Sequence, residues 1–297
     1  MHTTTKLADA FGLWLGKNET LKELNVANTL LSCAPSLISQ DGAHFVHQLS
    51  IHLRMNTTLK KLDLSNNNMF GEPDKRVITD FAKTIKDNTS ITELNMSRNR
   101  INPEDMRILA SALSDNRTLV YINLLNNDIG LQQARKIAVL FKEHVTLKSL
   151  CGNKGNETEL DISGKKIGTY GAIMLTPEIV ANGALTSLNV SDNNIGEIVA
   201  EGWTRGGYKG GGKYEWTHAD GRSETCTAPA GATEGSIVLA AGIENNRALA
   251  KFTFSGYYGG EGPSVTMEAS MVEADISGKQ LGASGTMMLV AFLPKCQ

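Results

Sequence analysis

The segment "GYKGGGKY", Gly207 to Tyr214, has the spacing of a phosphate-binding loop, G-x-x-x-x-G-K. Such a loop also needs a Ser or Thr after the lysine to bind magnesium, and this chain has Tyr214 there. It further needs a strand before it and a helix after it, because the helix N-terminus holds the phosphate. The sequence indicates neither element. We therefore predict a flexible glycine-rich loop here and no nucleotide cofactor.

A second lysine motif occurs twice. "ELDISGKKIGTYGAIML" at 159–175 returns as "EADISGKQLGASGTMML" at 273–289, an offset of 114 residues. The Ser-Gly-Lys inside this phrase has no phosphate-loop context. We interpret it as a turn in which Gly164 and Gly278 carry the backbone reversal, while Lys165 and Lys279 tip outward.

Three histidines, His44, His47 and His52, lie close together in "GAHFVHQLSIHLRMN". On a helix, His44, Gln48 and His52 share one polar stripe. A metal site would need further ligands and supporting partners, and the sequence supplies none. We predict a solvated convex helix face. Neither a Ser-His-Asp nor a Cys-His set can be assembled by motif, so no catalytic residue, metal or cofactor is predicted, and the chain is not expected to be an enzyme.

The composition excludes several kinds of partner. The chain of 297 residues has a formal net charge of −2, so nothing in it favours binding to nucleic acid or to an anionic membrane. There is no basic leader region and no apolar run of the ~20 residues that a membrane helix needs. The cysteines are far apart, which suits reduced thiols. These features predict a cytoplasmic protein. Asn-x-Ser/Thr sequons occur, but each falls at a repeating structural position: Asn18, Asn56, Asn88, Asn95, Asn116, Asn156 and Asn189.

The elements that would position these residues follow from a repeat. The pattern L-x-x-L-x-L-x-x-N-x-I begins clearly at Leu59, Ile91, Leu119 and Leu185, and more weakly at Leu21, Glu157, Leu249 and Met271. Between the copies run amphipathic stretches with helical spacing. In one of them Pro103 suits a helix start and Asn116 its end. Each repeat is therefore predicted to be a strand, a turn and a helix, and repeats must stack to bury their apolar faces.

This pattern, with its 28-residue spacing and helices that end in L-x-x-N-x-T-L, resembles the ribonuclease-inhibitor-like subclass of leucine-rich repeats. Ran GTPase-activating proteins, NOD-like receptors and the C-terminal domain of tropomodulin belong to that subclass. The resemblance implies an α/β fold: a right-handed solenoid or horseshoe of about eight irregular repeats, with parallel strands on the concave side and helices on the convex side.

The interruptions of the repeat predict the domain organisation. Leucine-rich repeats fill 1–197, a glycine- and aromatic-rich insert fills 198–235, and degenerate repeats of the same solenoid fill 236–297. The insert contains "KYEWTHADGRSETCTA", which reads as a β-hairpin that turns at Asp220-Gly221. The insert is similar to one seen in uncharacterised protist leucine-rich-repeat proteins. The repeat restarts at 157 and again at 271 without an intervening helix, and we expect a local distortion at both junctions.

A candidate binding surface lies on the strands. Side chains alternate along a strand, so the third and fifth positions of the pattern face out of the sheet. They form a polar, mildly acidic surface with one aromatic residue near its middle, and many of them could simply satisfy neighbouring strands. Interface anchors are usually aromatic or Arg, so Tyr121 and Arg98 are the best candidates. The predicted protein-binding residues are Asp63, Glu93, Asn95, Arg98, Tyr121, Asn123, Glu159 and Asp161, with Trp203, Tyr208, Tyr214 and Trp216 in the insert.

The sequence thus favours a non-enzymatic scaffold that binds a protein partner, which it does not name. One alternative, by resemblance, is a GTPase-activating regulator of the Ran type, although "AFLPKCQ" at the end differs from the acidic tail typical of that family. Another is an actin-capping module like tropomodulin, although that family's actin-binding N-terminal segments are not recognised. The apolar run "MMLVAFL" predicts either a fragment of a longer repeat protein or self-association through this edge.

Overall fold

The computed structural model describes residues 2–29, 40–71, 75–195, 203–210, 213–218, 223–226, 234–255, 263–279 and 281–296. The chain divides into two compact units, Met1–Lys154 and Gly155–Gln297. Each unit combines helices with a four-stranded sheet, and the second also holds a separate three-stranded sheet. The alternation of helices with parallel strands confirms the predicted α/β class. In the described part of the chain, no helix has the length and apolar character required to cross a bilayer.

The first unit contains four strands that pair in chain order, all parallel. They are β1 Glu23–Asn25, β2 Lys61–Asp63, β3 Glu93–Asn95 and β4 Tyr121–Asn123. The helices are α1 His2–Lys17, α2 Gln40–Met55, α3 Arg76–Asp87, α4 Pro103–Asp115 and α5 Leu131–Glu143. In the register, Leu62 pairs with Leu94 and Leu94 with Ile122, and all three side chains are buried. The middle residues of β2, β3 and β4 therefore point into the core, as the pattern predicts.

Helix α4 shows how the sequence sets helix bounds. Asn102 precedes it in an extended conformation and forms a capping box with Asp105, while Pro103 occupies the first turn, where its missing N–H is not needed. Asn116 ends the helix. The predicted bounds are confirmed. Met106, Leu109 and Leu113 are buried, which is the apolar face that helical spacing requires.

The asparagine at the ninth position of the pattern joins consecutive turns. Asn99 Nδ2 donates to the Leu64 carbonyl at 2.9 Å, and its Oδ1 accepts from the Asn67 amide at 3.2 Å. Asn127 repeats this one turn later, donating to Met96 and accepting from Asn99. These side chains are buried and satisfy backbone groups that would otherwise lack partners.

A second asparagine column caps the helices. Asn116 Nδ2 donates to the carbonyls of Ile85 and Asn88, and its Oδ1 accepts from the amides of Thr118 and Leu119. Asn56 and Asn88 make the same set of bonds. The hydroxyl two residues later also bonds to the preceding turn, as Ser90 does to Asn56. These three sequons are therefore structural, and their buried amides are not accessible for glycosylation.

The turn after each strand needs left-handed backbone. Asn66, Arg98 and Asn126 have φ of 57°, 57° and 59°, and Gly164 and Gly278 occupy the same place with φ of 64° and 67°. This supports the interpretation of Ser-Gly-Lys as a turn, because glycine adopts this region without steric cost. Lys165 is exposed, as predicted for a lysine that tips outward.

The first sheet ends in the segment around Ser149. This segment makes isolated bridges to β4 through Ser149 and Cys151, where the 28-residue spacing predicts a further strand. The next regular strand, in the second unit, begins only at Glu159. The repeat thus restarts after an incomplete coil, in the region where distortion is predicted.

The second unit has strands β5 Glu159–Asp161, β6 Ser187–Asn189, β10 Lys251–Ser255 and β11 Ser264–Glu268, paired in the order β11-β10-β6-β5. Its helices are α6 Gly168–Ala181, α7 Glu234–Asn245 and α8 Gly282–Phe292, and the 3-10 helix Leu293–Lys295 follows α8. β5, β6 and β10 are parallel, whereas β11 runs antiparallel to β10.

The repeat predicted to begin at Met271 is wrong as a strand. The edge of the sheet beside β10 is taken by β11, so residues 273–275 have no parallel neighbour to pair with and are not strand. The turn of that repeat nevertheless survives, because Asp275 Oδ1 accepts from the Ser277 amide at 2.9 Å.

The insert forms a three-stranded antiparallel sheet of β7 Trp203–Gly210, β8 Lys213–His218 and β9 Ser223–Cys226. The prediction of a flexible loop at Gly207–Tyr214 is wrong, because its described residues are strand residues in β7 and β8. Glycine permits the irregular register that β7 shows between Arg205 and Gly210. β8 and β9 flank the predicted turn, whose residues 219–222 lie outside the described residues.

Candidate functional site

An open groove of about 410 Å³ runs across the outward face of the strands of the first unit. We call it the strand-face groove. It is lined mainly by the third and fifth positions of the repeats, so five of the six predicted residues of this unit lie together in it. The lining residues from these two columns are Glu23, Asn25, Lys61, Asp63, Glu93, Asn95, Tyr121 and Asn123.

The third-position column carries alternating charges that pair with one another. Lys61 Nζ lies 2.8 Å from Glu23 and 3.8 Å from Glu93. Lys154 Nζ reaches Glu93 at 2.8 Å and sits 4.3 Å from the centre of the Tyr121 ring, a cation–π distance. The hydrogen bond to Glu23, together with the charge of Glu93, raises the pKa of Lys61. Glu93 and Tyr121 are thus held in place by an intramolecular network.

Each side chain of the fifth-position column uses one of its two polar atoms to bond to the backbone. Asp63, Asn95 and Asn123 each use Oδ1 to accept the amide two residues later, at 2.8 to 3.1 Å. These contacts are Asx turns, which local Asn and Asp side chains favour. The other atom still faces outward, and Asn95 Nδ2 donates to Asp63 Oδ2 at 3.1 Å. The column therefore mainly stabilises the turns, and only its remaining polar atoms form a surface.

Glu159 and Asp161 lie on β5 in the second unit and are exposed. Asp161 repeats the Asx turn, with the hydroxyl and the amide of Ser163 both donating to its Oδ1, at 2.7 and 2.9 Å. The hydroxyl bond first, then the amide bond, lower the pKa of Asp161. Nothing in its contacts distinguishes Asp161 from the structural aspartates of the other turns.

Arg98 does not line the strand-face groove. It lies beyond the end of β3 and lines a different depression of about 480 Å³, which we call the turn-edge concavity. The concavity is formed by consecutive turns of the first unit, and Arg100 also lines it. The two predicted anchors, Tyr121 and Arg98, thus belong to two surfaces.

In the insert, the register places the four predicted aromatic residues on two neighbouring strands. Tyr208 of β7 pairs with Tyr214 of β8, and Trp203 pairs with His218 two residues beyond Trp216. The backbone register thus brings Trp203, Tyr208, Tyr214 and Trp216 into adjacent strands of one sheet.

The histidine stripe of α2 is not the solvated face that the sequence predicts. His44 Nε2 lies 2.7 Å from Asp9 of α1, and the ring of His52 lies against Gly12 and Gly16 of the same helix. A Cβ at Gly12 would come within 2.5 Å of the His52 ring, so the glycines permit this close approach. The prediction fails because this stripe of α2 packs against α1.

Two residues that sequence reasoning missed matter here. Lys154 comes from a loop outside the repeat pattern, and no spacing in the sequence links it to Tyr121 or Glu93. His144 replaces asparagine at the end of α5, and it carries a detectable signal: "EHVTL" stands where other helices end in N-x-T-L. His144 Nε2 contacts the Leu113 carbonyl at 2.9 Å, and Nδ1 accepts from the Leu147 amide at 3.0 Å.

Comparison with known proteins agrees with the repeat. A leucine-rich-repeat family model matches residues 56–72, 87–110 and 184–197. A search of curated proteins found no match. Among solved structures, the chain is similar to leiomodin-1 actin-binding site 2, with 24% identity over 50% of this chain and 75% of that chain, at a TM-score of 0.37. It is also similar to a Caenorhabditis elegans tropomodulin C-terminal domain, with 10% identity over 84% of this chain and 92% of that one, at a TM-score of 0.30.

Both TM-scores are too low to bear on the fold, which rests on the repeat itself. The matched segments coincide with β2, β3 and β6 and their turns. The strand register, the buried leucines and the two asparagine columns recur in the same positions. The chain contains leucine-rich repeats in the segments that the family model matches.

Proposed function

We propose that the chain acts by binding a protein partner rather than by catalysis, and that the strand-face groove holds this partner. The observation that carries the proposal is the groove: four parallel strands present two columns of polar side chains with one aromatic residue among them. Such a face offers hydrogen bonds and charges at regular spacing to a partner surface.

The ion pairs of the groove can be exchanged for contacts with a bound partner. The side chains of Glu23, Lys61 and Lys154 remain 65%, 46% and 48% exposed within their ion pairs. Exposed pairs of this kind contribute little to folding stability, so a partner can compete for them without unfolding the unit. Their mutual contacts also hold the side chains extended across the sheet, which lowers the ordering cost of binding. Tyr121, stacked under Lys154, is the natural anchor.

A paired comparison tests the proposal. Affinity purification with mass spectrometry is carried out with the wild type, with Tyr121→Ala/Glu93→Ala, and with Glu104→Ala/Arg107→Ala, which removes an exposed ion pair from α4. Partners that bind the groove are lost from the first variant and kept by the second. Circular dichroism establishes that both variants are folded. Equal recovery of every partner by the two variants rules out the groove.

The aromatic insert and the second unit's strand face are further candidate surfaces. Deletion of 198–235 tests the insert, whose candidate residues are Trp203, Tyr208, Tyr214 and Trp216. Glu159→Ala/Asp161→Ala tests the β5 surface. A partner lost on deletion of the insert but kept by Tyr121→Ala/Glu93→Ala assigns recognition to the insert instead of the groove.

Two regulatory alternatives are separated from this proposal by direct assay. GTP hydrolysis by a Ran-class GTPase, measured with and without this protein, tests GTPase activation. Pyrene-actin assembly from capped and uncapped filaments tests actin capping. Acceleration of hydrolysis, or a block of filament-end growth, replaces the general binding proposal with that specific activity.

A further inference from the structure

Two residues of the turn-edge concavity depart from the repeat, and neither of them lines the strand-face groove. Arg98 and Arg100 flank the buried Asn99, and both have left-handed backbone, with φ of 57° and 59°. This conformation is uncommon for a residue with a long side chain, whereas Asn and Gly accept it readily. At the same two positions, the other described turns have mostly such residues: Asn66, Asn68, Asn126, Gly164, Lys166, Asp192, Asn194 and Gly278. Arginine at both positions of one turn is thus not what the backbone prefers.

Among the described residues, neither guanidinium group has a hydrogen-bond or ion-pair partner. Both side chains are exposed, both line the turn-edge concavity, and in the described residues neither makes a side-chain hydrogen bond or an ion pair. The helical arginines differ, since Arg54 pairs with Asp87 and Arg107 with Glu104. Asp128 also lines the concavity. Two arginines against one aspartate leave it with a net positive charge.

The backbone that carries these arginines is fixed on both sides. Asn99 donates its amide to Asn127 Oδ1 at 2.8 Å and its Nδ2 to the Leu64 carbonyl at 2.9 Å. Gly71, with φ of 92°, packs so closely on Arg100 that a Cβ there would lie 2.7 Å from the Arg100 carbonyl oxygen. The two guanidinium groups therefore extend from a rigid platform, so less freedom is lost when a ligand binds.

We infer that the turn-edge concavity is a second binding site, and that it takes the carboxylates of an acidic segment of a partner protein. Arginine presents a planar fork of donors that matches a carboxylate, and the side-chain amide of Asn68, which also lines the concavity, supplies a further polar group. A nucleic acid is less suitable, because its affinity depends on neutralising many phosphates and this chain carries a net charge of −2.

The test uses a fluorescein-labelled octapeptide of alternating glutamate and serine, with the glutamine peptide and a single-stranded oligonucleotide as comparison probes. Fluorescence anisotropy is measured with the full chain. Arg98→Asn/Arg100→Asn is the main variant, because asparagine occupies these positions elsewhere in the repeat and the turn is kept. Arg107→Asn on α4 is the control, because it removes one positive charge outside the concavity by the same kind of substitution. A further variant, Asp128→Asn, removes the opposing carboxylate.

We expect the glutamate peptide to bind and the glutamine peptide not to bind. Loss of charge-assisted hydrogen bonds weakens binding by at least about tenfold in Arg98→Asn/Arg100→Asn. Arg107→Asn leaves binding unchanged, Asp128→Asn tightens it, and Tyr121→Ala does not affect it, since Tyr121 lies in the other surface. Raising NaCl from about 0.05 to 0.5 M weakens the wild type more than the double variant.

Three results overturn the inference: no binding of the glutamate peptide by the wild type, equal binding by Arg98→Asn/Arg100→Asn, or stronger dependence on these arginines for the oligonucleotide than for the peptide. None of them bears on the strand-face groove, so the two surfaces succeed or fail separately.

Discussion

His144 offers a sharp test of how the helix ends are held. It stands where the other helices of the first unit end in asparagine, and its ring makes the same two kinds of contact as Asn116. The Leu113 carbonyl can only accept, so Nε2 must carry the hydrogen, and Nδ1 is then free to accept from the Leu147 amide. Replacing His144 with alanine removes both bonds, whereas asparagine can make both.

The size of the effect follows from the burial of the groups left behind. Leu113 and Leu147 are 1% and 5% exposed, so the released carbonyl and amide have little access to water. Each lost bond costs about 1 kcal/mol net, and up to about 3 kcal/mol where the group stays unsatisfied. Because His144 itself is only half-buried, water can replace part of what is lost. We therefore expect His144→Ala to lower the free energy of unfolding by about 2 kcal/mol, and His144→Asn to change it by less than about 1 kcal/mol.

Urea unfolding at neutral pH, followed by circular dichroism, measures both variants against the wild type. Val145→Ala is the control, since Val145 is the neighbouring side chain and is 82% exposed. The reasoning fails if His144→Ala unfolds at the same urea concentration as Val145→Ala, or if His144→Asn is as unstable as His144→Ala. Either result would mean that the imidazole does not stand in for the asparagine amide.

Three other predictions concern the core, a turn and an edge. Leu94→Ala should lower the free energy of unfolding by about 2–5 kcal/mol, measured by urea unfolding, because Leu94 is buried in the middle of β3; a loss below about 1 kcal/mol contradicts the register. Ser163→Ala should raise the pKa of Asp161 toward its usual value, seen by NMR titration, because the Ser163 hydroxyl is the main cause of its lowered pKa. In the wild type, this bond stabilises the turn at pH values above the usual pKa of aspartate, and that stabilisation is lost as the pH falls through the lowered pKa. An unchanged pKa of Asp161 in Ser163→Ala refutes this. Val290 and Leu293 are 58% and 46% exposed, so light scattering at high concentration should detect self-association that Val290→Ser/Leu293→Ser reduces; a monodisperse wild-type monomer excludes this surface.

Much of the fold is readable from the sequence because the repeat imposes several constraints together. The buried position of a residue such as Leu94 follows from three constraints. These are the strand pattern, the matching strand residues 32 residues earlier and 28 residues later, and the helix that follows the strand. Where only one constraint acts, prediction fails. The phrase at Met271 has the turn signature, yet the sheet edge that its strand needs is occupied by β11, and no local pattern reveals that competition.

The candidate site is only partly readable, for a different reason. The pattern identifies which side chains face outward, such as Tyr121 and Glu93, because alternation along a strand is local. It does not identify what covers them. Lys154 reaches both residues from a segment without regular structure, and His52 packs against glycines of a helix 36 to 40 residues earlier. Such contacts depend on tertiary geometry that no spacing records.

The difference between residues that the repeat uses and residues that it does not use indicates where specificity resides in this chain. Positions that recur, such as Asn116, are used by the fold, since its Nδ2 donates to a carbonyl of the preceding turn and its Oδ1 accepts from an amide of its own turn. A ligand gains little from a group that the fold already uses. Residues that depart from the repeat without being needed by it are the ones free to recognise a partner. By this criterion Arg98 and Arg100 stand out most, because they occupy turn positions where asparagine would serve the backbone better and their guanidinium groups bond to no described residue.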